Sequence, residues 1–246
     1  MAHRYLADSV EGVVQLLAAS YLRHGYYWYM TGSIPKGKSA ETVDQKLISK
    51  YDIDVSEWER SRRKKNGIAN AQYLRYGSWF VVLVTEGHHK IKAPSQQGGD
   101  AENLRDCRRI PIRCHGYSIS YRRSGVTLVG AVQPKWHAHV RIDGPTYSAM
   151  KGHFERMAVH RSAENLTKEF KRVEFARYAP IRRQMLDILR SVNHIRKQCG
   201  FEQLPYSALD LRRSPVKVFK DQTVGGVCTD IVNEPDDATG GAKKCK

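Results

Sequence analysis

No apolar run in this chain approaches the roughly 20 residues needed to cross a bilayer. Asp8 and Glu11 interrupt the opening segment, so it lacks the profile of a secretion signal. These two absences predict a cytoplasmic protein with no membrane partner. The five cysteines, Cys107, Cys114, Cys199, Cys228 and Cys245, are odd in number, scattered and never spaced C-x-x-C, which excludes a zinc ribbon and a disulfide framework and fits a reducing compartment. There is no internal repeat, no Gly-x-Ser-x-Gly elbow and no paired-carboxylate signature. Acid is also scarce, with 25 Asp and Glu against 41 Lys and Arg.

That imbalance gives a formal charge of +16 over 246 residues. From Asp221 onward there are five acids against three bases, so residues 1–220 carry +18 and the basicity belongs to the folded part. A field of this sign attracts polyanions, above all phosphate backbones. Thirteen Tyr and four Trp lie among the Arg-rich stretches, and aromatic rings with Arg are what unpaired bases stack on. DNA or RNA is therefore the expected partner. With 41% hydrophobic residues the chain can bury one sizeable core, expected as a single basic domain over residues 1–221 followed by a flexible tail over 222–246, where periodicity gives way to Gly, Asp and Pro.

Apolar residues Val10, Val13, Val14, Leu17, Ala18 and Tyr21 recur at helical spacing behind Asp8 and Ser9, predicting an amphipathic opening helix. Residues 26–34 are aromatic-rich and end at Pro35, as a strand entering a turn does, and Ser39 can cap a short helix carrying Val43, Leu47 and Ile48. Residues 79–85 form a continuous apolar run of strand length, expected to be central and covered on both faces. Residues 94–100 read as a surface loop, while 110–119, 126–132 and 136–142 read as strands with a hairpin turn over 122–125. Helices follow from Gly144, from about Ala163 to Val173, and from Pro180 to Gly200; the last carries an apolar stripe of Ile181, Met185, Ile188, Leu189, Val192 and Ile195. The sum is an α+β fold: a mostly antiparallel sheet flanked by helices, with a helical C-terminal part.

Two motifs could carry chemistry. In residues 136–140 (WHAHV), a strand places His137 and His139 on the same face, where both imidazoles could hold one divalent metal ion. This resembles the His-hydrophobic-His motif of the single-strand nucleases that initiate rolling-circle replication, start conjugation or move small insertion elements. The resemblance implies an RRM-like antiparallel sheet and a Mg or Mn ion on the two histidines that polarises a scissile phosphate. It also implies a helix-borne tyrosine that attacks the phosphate to form a covalent link. Tyr178, opening the helix after the motif, is the matching nucleophile; Arg182 stands one turn on, where that family carries a lysine. Tyr147 has Lys151 one turn on but follows His139 by only eight residues.

The second motif, residues 32–39 (GSIPKGKS), fits the G-x-x-x-x-G-K-S pattern of a phosphate-binding loop, in which Lys38 would reach nucleotide phosphates and Ser39 would hold magnesium. Pro35 removes one backbone donor from that loop, and residues 110–142 lack the crossover helices of a parallel sheet. Three functions thus remain open: metal-dependent nicking and joining of a single strand, a non-catalytic DNA- or RNA-binding module, and a nucleotide hydrolase. In the first two, phosphate contacts are expected from Arg60, Arg62, Arg63, Lys64, Lys65, Arg108, Arg109, Arg122, Arg123, Arg182 and Arg183.

Overall fold

The computed structural model of the protein describes residues 5–93, 103–123, 135–212 and 215–219. Most helices start where a short polar side chain accepts a hydrogen bond from the first turn's free N–H groups. Ser9, Ser39, Ser56, Asp143 and Ser162 cap α1 (Val10–Leu16), α2 (Ala40–Lys50), α3 (Glu57–Lys65), α4 (Gly144–Met157) and α5 (Ala163–Arg172) in this way. The longest helix, α6 (Ala179–Gln198), starts instead with a proline in its first turn. It ends at Gly200, whose φ of 73° suits glycine. The opening helix does not stay regular: it widens into a π-helical turn over Leu17–Tyr21 and tightens into a 3-10 turn over Leu22–His24.

Seven strands follow: β1 (Trp28–Ser33), β2 (Ala71–Tyr76), β3 (Trp79–Val84), β4 (Arg105–Asp106), β5 (Ile112–Cys114), β6 (Tyr117–Arg123) and β7 (Trp136–Ile142). They form a four-stranded sheet of order β2-β3-β1-β4 and a three-stranded sheet β5-β6-β7, antiparallel throughout. The fold is α+β. Its His-bearing strand β7 lies at the edge of the smaller sheet. Cys107 joins the two sheets: its N–H donates to Tyr27 O at 2.9 Å and its carbonyl accepts from Tyr121 N at 3.4 Å.

As its sequence predicts, β3 is central and buried on both faces. Val81 and Leu83 enter the main core with α1, α5, α6 and the inner face of β5-β6-β7, while Val82 and Val84 pack on the other side with Leu47 and Ile48 of α2. Its neighbour β2 lies in a stretch where the sequence indicates no strand. Its polar residues Gln72 and Arg75 fall on opposite faces and are both buried: Asp44 of α2, itself fully buried, accepts from Tyr73 Oη at 2.5 Å and Arg75 Nε at 2.9 Å on one face, and Gln72 lies on the other. The expected single strand over 110–119 is corrected to a hairpin. The chain reverses at His115 and Gly116, both with positive φ (43° and 81°), the geometry of a tight two-residue turn. Arg122 and Arg123 accordingly lie within β6 and form no turn. The expected loop at 94–100, strand at 126–132 and tail at 222–246 lie outside the described residues. Among the described residues no helix is long and apolar enough to cross a membrane.

Candidate nucleic-acid cleft on strand β7 and helix α6

On β7 the pleat sends Val140 and Ile142 into the core and leaves His137, His139 and Arg141 on the opposite face. The register with β6 sets His139 across from Ser120, His137 across from Arg122 and Arg141 across from Ser118, so this face is polar and cationic. The open edge of β7 is closed by α6. Gln184 acts as a substitute strand: its Oε1 accepts from Ile142 N at 2.9 Å and its Nε2 donates to Ile142 O at 3.0 Å.

That clamp fixes what meets what. Tyr178 is the N-cap of α6, six residues before Gln184, or about 9 Å along the helix. His139 is three residues before Ile142, or about 10 Å along the strand. Both offsets end at one cleft of about 940 Å³, lined by His137, His139, Tyr178, Tyr147, Asp187 and the arginines Arg141, Arg177, Arg182, Arg183 and Arg190. The segment leading into α6 is anchored as well, since Ala176 N donates to Tyr117 Oη at 3.1 Å.

The two tyrosines differ in setting. Tyr147 donates to Asp187 Oδ2 at 2.5 Å, and Lys151 donates to the same oxygen at 3.1 Å. Burial, then that carboxylate, pushes the Tyr147 hydroxyl up to about 12, which keeps it protonated. The Asp187 carboxyl is held below its ordinary range by Tyr147 and Lys151. Tyr178, half-buried, opens onto the cleft beside Arg177 and Arg182. Arg177 is paired with Asp210 at 2.9 Å. The other four cleft arginines make no ion pair with a carboxylate among the described residues.

The histidines meet part of the requirement for a shared ion. Two imidazoles bound to one metal through nitrogens at about 2.1 Å have ring centroids about 5 Å apart at a tetrahedral angle and at most about 6.5 Å. The rings here are 6.5 Å apart and inclined by 64°, so His137, exposed and with only a 3.5 Å contact from Nδ1 to Lys135 O, must rotate inward. His139 Nδ1 is buried without a hydrogen-bond partner. Burial lowers the His139 pKa, and Arg122, Arg141 and His137 lower it further, so the ring is neutral, as a ligand must be. The same cations repel a bare dication, and no cluster of three His, Cys, Asp or Glu that could hold a metal exists among the described residues. A shared ion would therefore need His137 to turn inward and further ligands from a bound phosphate.

Comparison with family models, curated proteins and solved structures finds no match.

The other expected contacts fall into separate places. Arg60 and Lys64 line a second cleft beside Tyr26 and Tyr27. Arg62 and Arg63 pair with Glu59 on their own helix, at 2.8 and 3.4 Å, and Lys65 is exposed at its end. Arg108 is held by Asp106 and Glu86, both at 2.8 Å, and covers the Tyr27 ring. Arg109 and Arg123 are exposed. Only Arg122, Arg182 and Arg183 of the predicted set are at or beside the His and Tyr cleft. Arg141 was legible as the next residue of the His137, His139 alternation, and Arg190 and Asp187 as the residues seven and four positions after Arg183 on one helix face; the convergence of α4 and Arg177 on the cleft had no sequence signal.

Residues 32–39 do not form a phosphate-binding loop. Ile34 N–H is spent on Ser78 O and Lys38 N–H on Pro35 O, Ser39 caps α2, and β1 is paired antiparallel on both sides. Converging donors and a parallel strand, on which such a loop depends, are both missing from the described residues.

Proposed function

We propose that the chain binds single-stranded DNA or RNA in the cleft between β7 and α6 and, with Mg or Mn, nicks and rejoins it through Tyr178. One observation carries the proposal: His137, His139 and Tyr178, about forty residues apart in sequence, line the same arginine-rich cleft. Arginine forks bind phosphate oxygens bidentately, so Arg141, Arg182, Arg183 and Arg190 would seat a backbone with its charge neutralised. His137 and His139 would hold the divalent ion, which supplies electrophilic polarisation of the phosphate.

The chain's own residues do the rest. Tyr178 Oη forms the bond to phosphorus and gives up its proton to solvent; the sugar oxygen leaves with the bonding electrons and is protonated. The arginines stabilise the charge gathered on the phosphoryl oxygens at that moment. A free sugar hydroxyl can reverse the step, which makes joining the same chemistry as nicking. Tyr147, held protonated on Asp187, is a packing and cleft-shaping residue in this scheme.

The test is incubation of the purified protein with labelled single-stranded and hairpin nucleic acids and Mg or Mn. A covalent adduct that disappears in Tyr178→Phe and persists in Tyr147→Phe supports the proposal. Salt-sensitive binding with no adduct or cleavage under either metal refutes the nicking step and leaves the non-catalytic binding module, which the cationic surroundings of His139 favour.

A further inference from the structure

A second cleft, of about 990 Å³, opens between the irregular end of the first helix, α3 and β2, away from His137 and His139. Asn70 and Gln72 occupy alternate positions of the β2 segment and share one face. They are 5% and 7% exposed. Asn70 Nδ2 donates to Arg60 O at 2.9 Å, and the Gln72 side chain lies beside the Tyr26 hydroxyl. Their oxygens, Asn70 Oδ1 and Gln72 Oε1, are buried without a partner, and so is Nε of Arg60. All three residues line this cleft.

Buried polar atoms are almost always paired, so two unpartnered acceptors and an unpartnered donor on residues that line one cleft point to a ligand that supplies the complementary atoms once it seats there. The walls are aromatic, with Tyr21 and Tyr26 tilted against each other at 5.7 Å. Tyr21 is delivered by the π-helical turn, a deviation that tends to occur at functional sites. The mouth carries Arg23 and Lys64, both exposed. Of the two acids there, Glu86 is neutralised by Arg108 at 2.8 Å and accepts from Trp28, leaving Glu57 as the counter-charge. At the rim, Tyr27 stacks on Tyr121 at 4.9 Å, and Tyr121 stacks on the half-exposed Trp136 at 5.7 Å, the residue before His137.

We propose that this cleft takes one unstacked nucleotide bearing an amino-substituted base, adenine or cytosine. Asn70 Oδ1 and Gln72 Oε1 accept from the exocyclic amine, Arg60 Nε donates to the adjacent ring nitrogen, and Arg23 and Lys64 meet the phosphate. Thymine and uracil present a carbonyl where the amine belongs and leave both oxygens unpaired. Tyr27 is covered by Arg108 and Tyr121, and Tyr121 by Tyr27 and Trp136, so the half-exposed Trp136 is the member of this stack with a face open to a base. The inference deepens the single-strand reading and rests on it for the oligonucleotide, though not for a free nucleotide.

The experiment measures affinities of fluorescein-labelled dA, dC and dT 12-mers, and of free dAMP, dCMP and dTMP, for the wild type and Gln72→Met at one salt concentration. The expected result is about tenfold tighter binding of dA or dC than dT, the discrimination typical of a paired base edge. Gln72→Met should erase that preference while leaving dT binding unchanged. Equal affinity for all bases in the wild type, or a preference that survives in a folded Gln72→Met, overturns the proposal whether or not oligonucleotides bind. If oligonucleotides fail but dAMP or dCMP bind selectively, the single-strand reading falls and the nucleotide site stands. Should Gln72→Met not fold, photo-cross-linking of a 5-iodocytosine oligonucleotide decides: adducts on Tyr21, Tyr26 or Tyr27 support the site, and adducts confined elsewhere overturn it.

Discussion

Replacing Arg141, Arg183 and Arg190 by alanine should change how nucleic-acid binding responds to salt more than it changes the fold. All three are exposed, line the cleft of His137, His139 and Tyr178, and have no carboxylate partner within ion-pair distance among the described residues. A cation that neutralises one phosphate of a single strand contributes about 0.7 to the slope of log affinity against log salt. Losing three therefore flattens the slope by about 2, and between about 50 and 200 mM salt those contacts account for a loss of about twentyfold that the variant would no longer show. Fluorescence anisotropy of a labelled single-stranded 20-mer over a salt series gives both slopes. The matched control is Lys168, Lys171 and Arg172 to alanine on α5, equal in charge but outside the cleft, which should flatten the slope far less. If the two triple variants have the same slope, the chain binds through its net charge and the cleft is not the interface.

Three further outcomes follow from buried groups and the sheet edge. Asp44→Asn leaves Arg75, 9% exposed, without its charge partner; breaking such a pair costs about 3–5 kcal/mol, so melting should fall by about 6–20 °C, and a drop under about 2 °C in a circular-dichroism melt would show the pair to be dispensable. His89 accepts from Ile91 N through Nδ1 and meets Tyr51 O through Nε2, and burial lowers its pKa; its stabilisation is therefore full above the ordinary histidine value of about 6.5 and is lost as pH falls through the lower folded-state value. Wild type should lose more melting temperature than His89→Ala between about pH 7.5 and 5, and equal losses would refute the assignment. Gln184→Leu keeps the helix but unpins Ile142, so adduct formation through Tyr178 should fall more steeply than binding; parallel losses of both would count against a positioning role.

The fold was legible where one residue's chemistry sufficed. Ser39 caps α2 because its side chain can reach the first free N–H groups, whatever lies beyond. The stripe from Ile181 to Val192 marks the buried face of α6, and residues 79–85 read as a doubly covered strand because only such a strand can be apolar on both faces. Residues 71–76 escaped notice because their polar members are buried on both faces, Arg75 against Asp44 of α2 and Gln72 on the opposite side, so no alternation with a wet face marks the strand. The hairpin at 115–116 was hidden because histidine holds a left-handed conformation that its identity does not announce.

For the candidate site the division is similar. Sequence alone placed His137 and His139 on one face, since strand periodicity is a local property, and put Tyr178 at the start of a helix facing inward. It also set the formal charge of +16. Only the tertiary structure decided that Tyr178 and the histidines share a cleft, because that depends on Gln184 capping the open edge of β7, a contact across forty-two residues with no local signature. The buried oxygens of Asn70 and Gln72 belong to the same class: each is an ordinary polar residue in sequence, and its unmet hydrogen bond exists only once the packing around it is known.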